Sequence, residues 1–381
     1  MNFLYRKIYE EFLKKIKDST YPVGSKLPSE KEISEEYGVS RITSKRAIDE
    51  LAEGGYVERT RGKGTYVIQR SIFQDYMSNE SSPSRLQQNT VYVLLPIQQN
   101  MSNLGDFTIV LNNISKVLNN SGYSMQLYYG LSNISPLRNL LEKNHGDKMA
   151  GIIYSPIEEH SDYKLLAKLV NTNFPIITFD KRFAEMPVSS VVSENRIGGK
   201  NATDYLISLN HRRIAFISDL KLEQTSTIRE RFLGYSQALK ENNIPYNEDY
   251  VIIKEDTSEP LRGYDEPFYK EAITRLLKNG VTAIFCINDL VASFVTNAAL
   301  NLGYEIPTDF SLVGFDNTSL ALYQRVPLTT VAQDFERIGT EIGNLMLHKI
   351  KNPNYPYTNI EIPTKLVIRN SCTKFEENST Q

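Results

Sequence analysis

From residue 90 onward the sequence alternates apolar, β-prone runs with amphipathic stretches, and no other feature constrains the fold as strongly. The runs are VYVLLP (91–96), MQLYYG (125–130), AGIIYSP (150–156), PIITFD (175–180), SVVSE (190–194), RIAFISD (213–219), YVIIKE (250–255), TAIFCIND (282–289) and SLVGFD (311–316). Helical spacing fills most of the gaps, as at 107–120, 195–209, 228–242, 264–279 and 289–302. Strands that alternate with helices form parallel sheets covered on both faces. Nine such runs are too many for one half-domain, so the pattern predicts an α/β body of two doubly wound parallel-sheet subdomains. There is no exact short repeat of solenoid type.

The first 70 residues follow a different rule. Tyr5, Ile8, Phe12 and Ile16 recur at helical spacing, and Pro22 and Gly24 end that helix. A second helix opens at Ser29, with Glu32 three residues later in capping-box position. It stops at Gly38, which adopts positive φ at little cost. A third helix runs from about Ser40 to Gly54-Gly55, and two short β-prone pieces, Tyr56–Thr60 and Thr65–Gln69, flank a basic turn at 61–64. Residues 71–89 are polar and read as a linker.

Composition adds a charge split. Residues 1–70 carry 14 Lys and Arg against 11 Asp and Glu, whereas the remainder carries 29 against 34. A basic head on an acidic body points to a polyanion at the head alone. Hydrophobic residues make up 40% and charged residues 23% of the 381, an ordinary globular balance. No run of ~18 apolar residues predicts a membrane span, and the N-terminus lacks a signal-peptide core. Two cysteines, Cys286 and Cys372, give neither a disulfide framework nor a metal pattern. These features predict a cytoplasmic protein that does not meet a membrane. His145, His160, His211 and His348 are scattered without ligand spacing. No G-x-G-x-x-G, G-x-S-x-G or H-E-x-x-H motif occurs, so no cofactor, metal or enzyme activity is expected.

Residues 27–67, LPSEKEISEEYGVSRITSKRAIDELAEGGYVERTRGKGTYV, concentrate the sharpest signal. Ile33, Val39, Ala47, Ile48 and Leu51 are spaced to pack two helices across a tight turn, which exposes Arg41, Thr43 and Lys45 at the start of the third helix. Such a helix start reaches base edges in the major groove, and arginine pairs bidentately with guanine. The segment resembles the winged-helix DNA-binding domain of the GntR family, and the likeness covers essentially all of 1–68. Ser44 stands where the family usually has an apolar residue, which predicts a slightly weaker local core. The resemblance implies DNA contacts from Glu30 and Lys31, from Ser40, Arg41, Thr43 and Lys45, and from the wing residues Arg61, Gly62, Lys63 and Gly64. Within it, Arg41 and Lys45 fall to bases, Lys31 and Arg61 to phosphates, and the wing glycines to the minor groove.

The body resembles the LacI/GalR type of effector domain, which has the periplasmic-binding-protein fold. The likeness rests on five segments in order: 193–218, 229–239, 282–292, 306–321 (IPTDFSLVGFDNTSLA) and 326–334 (VPLTTVAQD). Asn210 replaces the common glycine before His211. Ligands bind outside the carboxyl ends of parallel strands, where Asn288-Asp289 and Asp316 fall. The resemblance implies effector contacts at Arg231, Asn288 and Asp316. Asp180 and Phe107 are further candidates, Phe107 because family members place an aromatic at the start of the first helix. Asp289 either faces the ligand or caps the next helix, and Asp180 either faces the ligand or serves as a turn residue.

The expected organisation is a winged helix-turn-helix at 1–70, a linker at 71–89, an effector and dimerisation domain at 90–371 and a tail at 372–381. Crossings between subdomains are expected near 193–194, 328–331 and 352–358, with 335–350 a helix of the first subdomain and 360–368 a strand of the second. The combination resembles the arabinose repressors of Gram-positive bacteria. It implies a homodimeric repressor of carbohydrate genes, released from operator DNA by a small sugar, with L-arabinose the first choice. A different sugar or a sugar phosphate is the alternative. A transport-binding protein leaves the head unexplained, and a sugar-processing enzyme lacks a nucleophile–base pair.

Overall fold

The computed structural model describes residues 4–18, 20–22, 24–53, 56–60, 64–67, 89–95, 104–129, 136–143, 149–156, 162–183, 185–223, 225–254 and 265–376. Contacts divide the chain into two units, residues 1–85 and 86–381. Residues 71–88 of the linker expected at 71–89 and the wing residues Arg61, Gly62 and Lys63 lie outside the described residues, as do His145 and His160.

In the first unit, α1 (Leu4–Lys17), α2 (Glu30–Glu36) and α3 (Arg41–Glu53) precede an antiparallel hairpin of β1 (Val57–Thr60) and β2 (Gly64–Val67). Ile8 and Phe12 pack on Ile33, Ala47, Ile48 and Leu51. The capping box forms: the Ser29 hydroxyl accepts from the Glu32 amide, and the Ser29 amide donates to the Glu32 carboxylate at 2.7 Å. Gly38 turns the chain at φ 63°. Ser44 is not the weak point that its polarity predicts. It is fully buried, and its hydroxyl donates to the Glu30 carbonyl at 2.7 Å, tying α3 to α2.

The second unit holds two six-stranded sheets. The first is built from β3 (Thr90–Leu95), β4 (Ser124–Tyr129), β5 (Met149–Tyr154), β6 (Ile176–Phe179), β7 (Ser189–Ser193) and β13 (Asn359–Ile362), in the order 13-7-6-5-3-4. The second contains β8 (Ile214–Ser218), β9 (Val251–Ile253), β10 (Ala283–Cys286), β11 (Ser311–Asp316), β12 (Thr329–Ala332) and β14 (Lys365–Val367), in the order 14-12-11-10-8-9. Matched strand for strand, these orders are the same permutation, so the two halves repeat one topology. All pairings are parallel except β12 with β14. Around the first sheet lie α4 (Leu104–Asn119), α5 (Pro136–Lys143), α6 (Tyr163–Asn171) and α12 (Phe335–Lys351); with the second go α7 (Asn195–Ser208), α8 (Ser226–Glu241), α9 (Glu266–Lys278), α10 (Asp289–Asn301) and the short α11 (Ser319–Tyr323).

Four expectations are corrected. Twelve strands replace the nine runs, the additions being β12, β13 and β14. The second and third crossings come later than expected, after Ala332 and after Ile362. β12 is a ladder strand between β11 and β14, so the chain leaves the second sheet only beyond it. The segment 360–368 is two strands, one in each sheet, broken at Pro363, which cannot donate to a ladder. Finally, 372–376 is not a free tail. The buried His211 ring bonds to the Thr373 carbonyl at 3.0 Å and packs on the Phe375 ring. Asn210 takes φ 69°, a conformation Asn tolerates where glycine is common, and its amide donates to the Phe375 carbonyl.

The α7–α8 contact sets the position of the central arginine. A Cβ on Gly199 would fall on the Arg231 carbonyl oxygen, and one on Gly234 would fall on the Arg196 carbonyl oxygen. The two backbones therefore touch, which only glycine permits. Gly234→Ala is expected to destabilise the second unit by about 1–3 kcal/mol through overpacking, read as a lower melting temperature in a dye-monitored thermal ramp.

Candidate functional site

In the first unit the start of α3 is presented outward. The Ser40 hydroxyl accepts from the Thr43 amide at 3.2 Å and lies 2.8 Å from the Thr43 hydroxyl, so both side chains are engaged in capping. Arg41 and Lys45 are exposed and, being four residues apart, share a helix face. Glu30 is paired with Arg59 at 2.8 Å, and Arg59 also reaches Asp49 at 2.9 Å. Lys31 is exposed, 3.9 Å from Glu35. Gly64 opens β2 at φ 122° opposite Thr60. A basic helix face beside a β-hairpin is thus on the surface, with Glu30 neutralised by a neighbouring cation.

In the second unit the candidate residues gather at the carboxyl ends of the two sheets. Arg231, on α8, is only 5% exposed. Its Nε donates to Asn195 Oδ1 at 2.9 Å, one Nη to the Ile287 carbonyl at 2.7 Å and the other to Asp316 Oδ1 at 3.0 Å. The guanidinium also stacks on Phe315, 3.6 Å from the ring centroid. Asp316 accepts a second bond from Gln333 Nε2 at 2.7 Å, and the Gln333 carbonyl accepts from the Ser193 hydroxyl at 2.5 Å. Asp316 holds φ 103° and Asp180 φ 67°. Both follow a phenylalanine at the end of matching strands, β6 and β11, so the topological repeat places one aspartate from each half at the same level. Asp180 is more solvated, 3.3 Å from the Lys181 ammonium, which also donates to the Pro156 carbonyl. Phe107 is half-buried against Phe179, with 6.2 Å between ring centroids.

Two assignments change. Asn288 is the N-cap of α10: its side-chain oxygen accepts from the Val291 amide at 2.8 Å, which leaves its amide NH2 rather than its carbonyl for any ligand. Asp289 therefore is not the cap. It is fully buried, accepting from the Thr318 amide at 2.7 Å and from the Thr330 hydroxyl at 2.5 Å. That carboxylate fixes the loop after Asp316 to β12. Ser193, Asn195 and Gln333 were missed by sequence reasoning. Gln333 lay inside the segment 326–334, and its position just beyond β12, matching Glu194 just beyond β7, was the available signal.

Burial dominates the electrostatics. It pushes the Asp289 pKa up to about 7, with the Asp316 charge adding to it and the Thr330 and Thr318 bonds opposing. Asp316 is pushed up to about 6 by burial, against the pull of Arg231 and Gln333. Asp219 is likewise raised by burial. No cluster of three or more His, Cys, Asp or Glu that could hold a metal occurs among the described residues. Nor, among them, is any helix long and apolar enough to cross a membrane.

Residues 4–67 match the bacterial regulatory proteins of the gntR family, and residues 203–372 match the periplasmic binding protein-like domain. The chain joins a gntR-family DNA-binding head to a LacI-type, periplasmic-binding-protein-like body. Among curated relatives, the HTH-type transcriptional regulator DegA of Bacillus subtilis is 32% identical over 227 residues, 59% of this chain and 65% of that protein. The arabinose metabolism transcriptional repressor of Geobacillus stearothermophilus is 24% identical over 375 residues, 96% of this chain and 97% of that protein. A solved LacI family regulator from Enterococcus faecium, with bound ribose, superposes on the body with a TM-score of 0.61 at 24% identity, covering 75% of this chain and all of that one. The head thus matches a DNA-binding regulator domain and the body shares the LacI-type fold, with the Arg231–Asp316 pair inside that body.

The buried carboxylates give a signed prediction. Both have folded pKa values above the unfolded carboxylate value of about 3.9, so the folded body binds extra protons between about pH 4 and pH 7. Their contribution is fully present below the unfolded value and is lost as pH rises through about 6 to 7. Asp289→Asn, which cannot ionise, is expected to gain stability relative to the parent chain as pH rises from about 4 to about 7, with the difference level above that. Melting temperatures of both proteins across that range check it, and parallel curves would contradict it.

Proposed function

We propose that the protein is a homodimeric transcriptional repressor of carbohydrate-utilisation genes, released from its operator when a small sugar enters the cleft of the body. The observation that carries this reading is the joining of a gntR-family head to a LacI-type body in one chain, an arrangement aligned over 96% of its length with an arabinose metabolism repressor. L-Arabinose is accordingly the proposed effector.

The chemistry supports a polyhydroxy ligand. A carboxylate accepts about four hydrogen bonds, and Arg231 and Gln333 supply two of those on Asp316. The remaining capacity suits hydroxyl donors, and Arg231, with three of five N–H groups engaged, has donors for hydroxyl oxygens. Asp180 and Asn288 complete the proposed polar lining, with Phe107 as the apolar wall. In the head, Arg41 and Lys45 read bases; Lys31, Ser40, Thr43, Arg61, Lys63 and the glycines Gly62 and Gly64 meet the backbone or the minor groove, and Glu30, paired with Arg59, lies at the start of α2. Two heads bind a pseudo-palindromic site, with dimerisation through α4 and α6 of the first subdomain. The body binds without chemical turnover.

The deciding experiment is thermal stabilisation by a panel of free and phosphorylated sugars, followed by operator release with any that bind. L-Arabinose at about 100 times its dissociation constant stabilises by about 2.7 kcal/mol; stabilisation by other sugars alone keeps the repressor and discards arabinose. Asp316→Ala is expected to lose that stabilisation while keeping operator binding. Arg41→Ala is expected to weaken specific binding by about 1–3 kcal/mol and to relax preference at one base pair, measured by titration against single-position operator variants. Equal affinity for all variants by both proteins would remove Arg41 from base readout.

A further inference from the structure

The Arg231–Asp316 pair and the crossings share one hydrogen-bond ring. The Ser193 hydroxyl donates to Gln333 Oε1, and Gln333 Nε2 donates to Asp316 Oδ1. Arg231 donates to the same Asp316 oxygen and, through Nε, to Asn195 Oδ1. Asn195 Nδ2 then donates to the Ser193 carbonyl at 3.0 Å, closing the circuit. Every donor meets an acceptor around the ring, which fixes each amide's orientation.

The location matters as much as the closure. Ser193 ends β7 and Asn195 begins α7, so these two residues flank the first crossing. Gln333 sits between β12 and α12, on the second crossing. The Ser193–Gln333 bond therefore clasps two crossing segments side by side. It is part-buried, with Ser193 5% exposed and Gln333 half-buried. Arg231 and Asp316 belong to the second subdomain and form the ring's far side. A ligand that bonds to Asp316 acts on an atom pair whose other partner holds the clasp.

We propose that Ser193 and Gln333 are the positioning residues through which occupancy of the cleft reaches the crossings, Gln333 reading the state of Asp316 and Ser193 transmitting it to β7. The proposal rests on the repressor reading above. It assigns Ser193 no contact with the ligand: its hydroxyl is spent on Gln333. Sugar affinity of the free protein and the coupling between sugar and operator are therefore separable at Ser193.

The test uses the full chain, an operator selected from random duplex DNA by that chain, and L-arabinose, D-ribose and D-xylose as probes. Sugar affinity is measured with and without saturating operator, and the ratio is the coupling factor, about 5–150-fold for a typical allosteric pair. Ser193→Ala is expected to keep the free protein's sugar affinity and to bring the coupling factor toward one. Ser193→Thr, which retains a hydroxyl, is expected to restore coupling. Gln333→Met, which keeps side-chain length but loses both bonds, is expected to lower coupling as Ser193→Ala does, and gives the same reading should Ser193→Ala fail to fold. Parental coupling in Ser193→Ala or in Gln333→Met would overturn the proposal while leaving the repressor intact. If no probe releases the parent chain from operator, the repressor reading fails and the proposal falls with it.

Discussion

The body is organised around a positive charge removed from water. Burying a guanidinium costs several kcal/mol unless geometry and hydrogen bonding compensate. Arg231 receives that compensation from three separate elements: Asn195 at the start of α7, the Ile287 carbonyl beyond β10 and Asp316 at the end of β11, with the Phe315 ring beneath. None of these partners is local in sequence. The contact of α7 with α8 through Gly199 and Gly234 is what brings the arginine backbone close enough for its side chain to meet all three. Helix packing, strand ends and site electrostatics are thus one problem with one solution.

The two halves repeat a topology but not an electrostatic environment. Phe179-Asp180 and Phe315-Asp316 occupy matching strand ends with positive φ. Asp316 is buried, accepts from Arg231 and Gln333, and is raised toward neutrality by its surroundings. Asp180 is half-exposed and faces Lys181. One half therefore presents a fixed, pre-oriented acceptor, and the other a solvated one whose orientation is less constrained. A ligand that bridges the halves meets rigidity on one side and adaptability on the other.

The sequence displayed most of the secondary structure because long strands and helices carry long periodic signals. It displayed the α2 capping box and the Gly38 turn because both are set by local backbone chemistry. What it hid was non-local or brief. β12, β13 and β14 are short and, unlike the equally short β6, β9 and β10, follow no regular alternation with helices, and the break at Pro363 divides one apparent strand between two sheets. The segment after Ser371 looks like polar tail, yet His211, more than 150 residues earlier, supplies its docking surface. Asp180, Arg231 and Asp316 were visible from strand ends and a family likeness. The division of labour between Asn288 and Asp289 was not, because which of two adjacent polar residues caps a helix depends on Thr318 and Thr330 far along the chain.

The crossing pattern has a consequence for how the chain is made. The first sheet takes its edge strand, β13, from residues 359–362, and its core helix α12 from residues 335–351. Neither half is a continuous stretch of sequence. On the ribosome, where domains generally fold as units from the N-terminus, the first half waits with an uncovered apolar sheet face until the second half has been synthesised. Nascent chains stalled before α12 emerges thus lack the helix that covers that face.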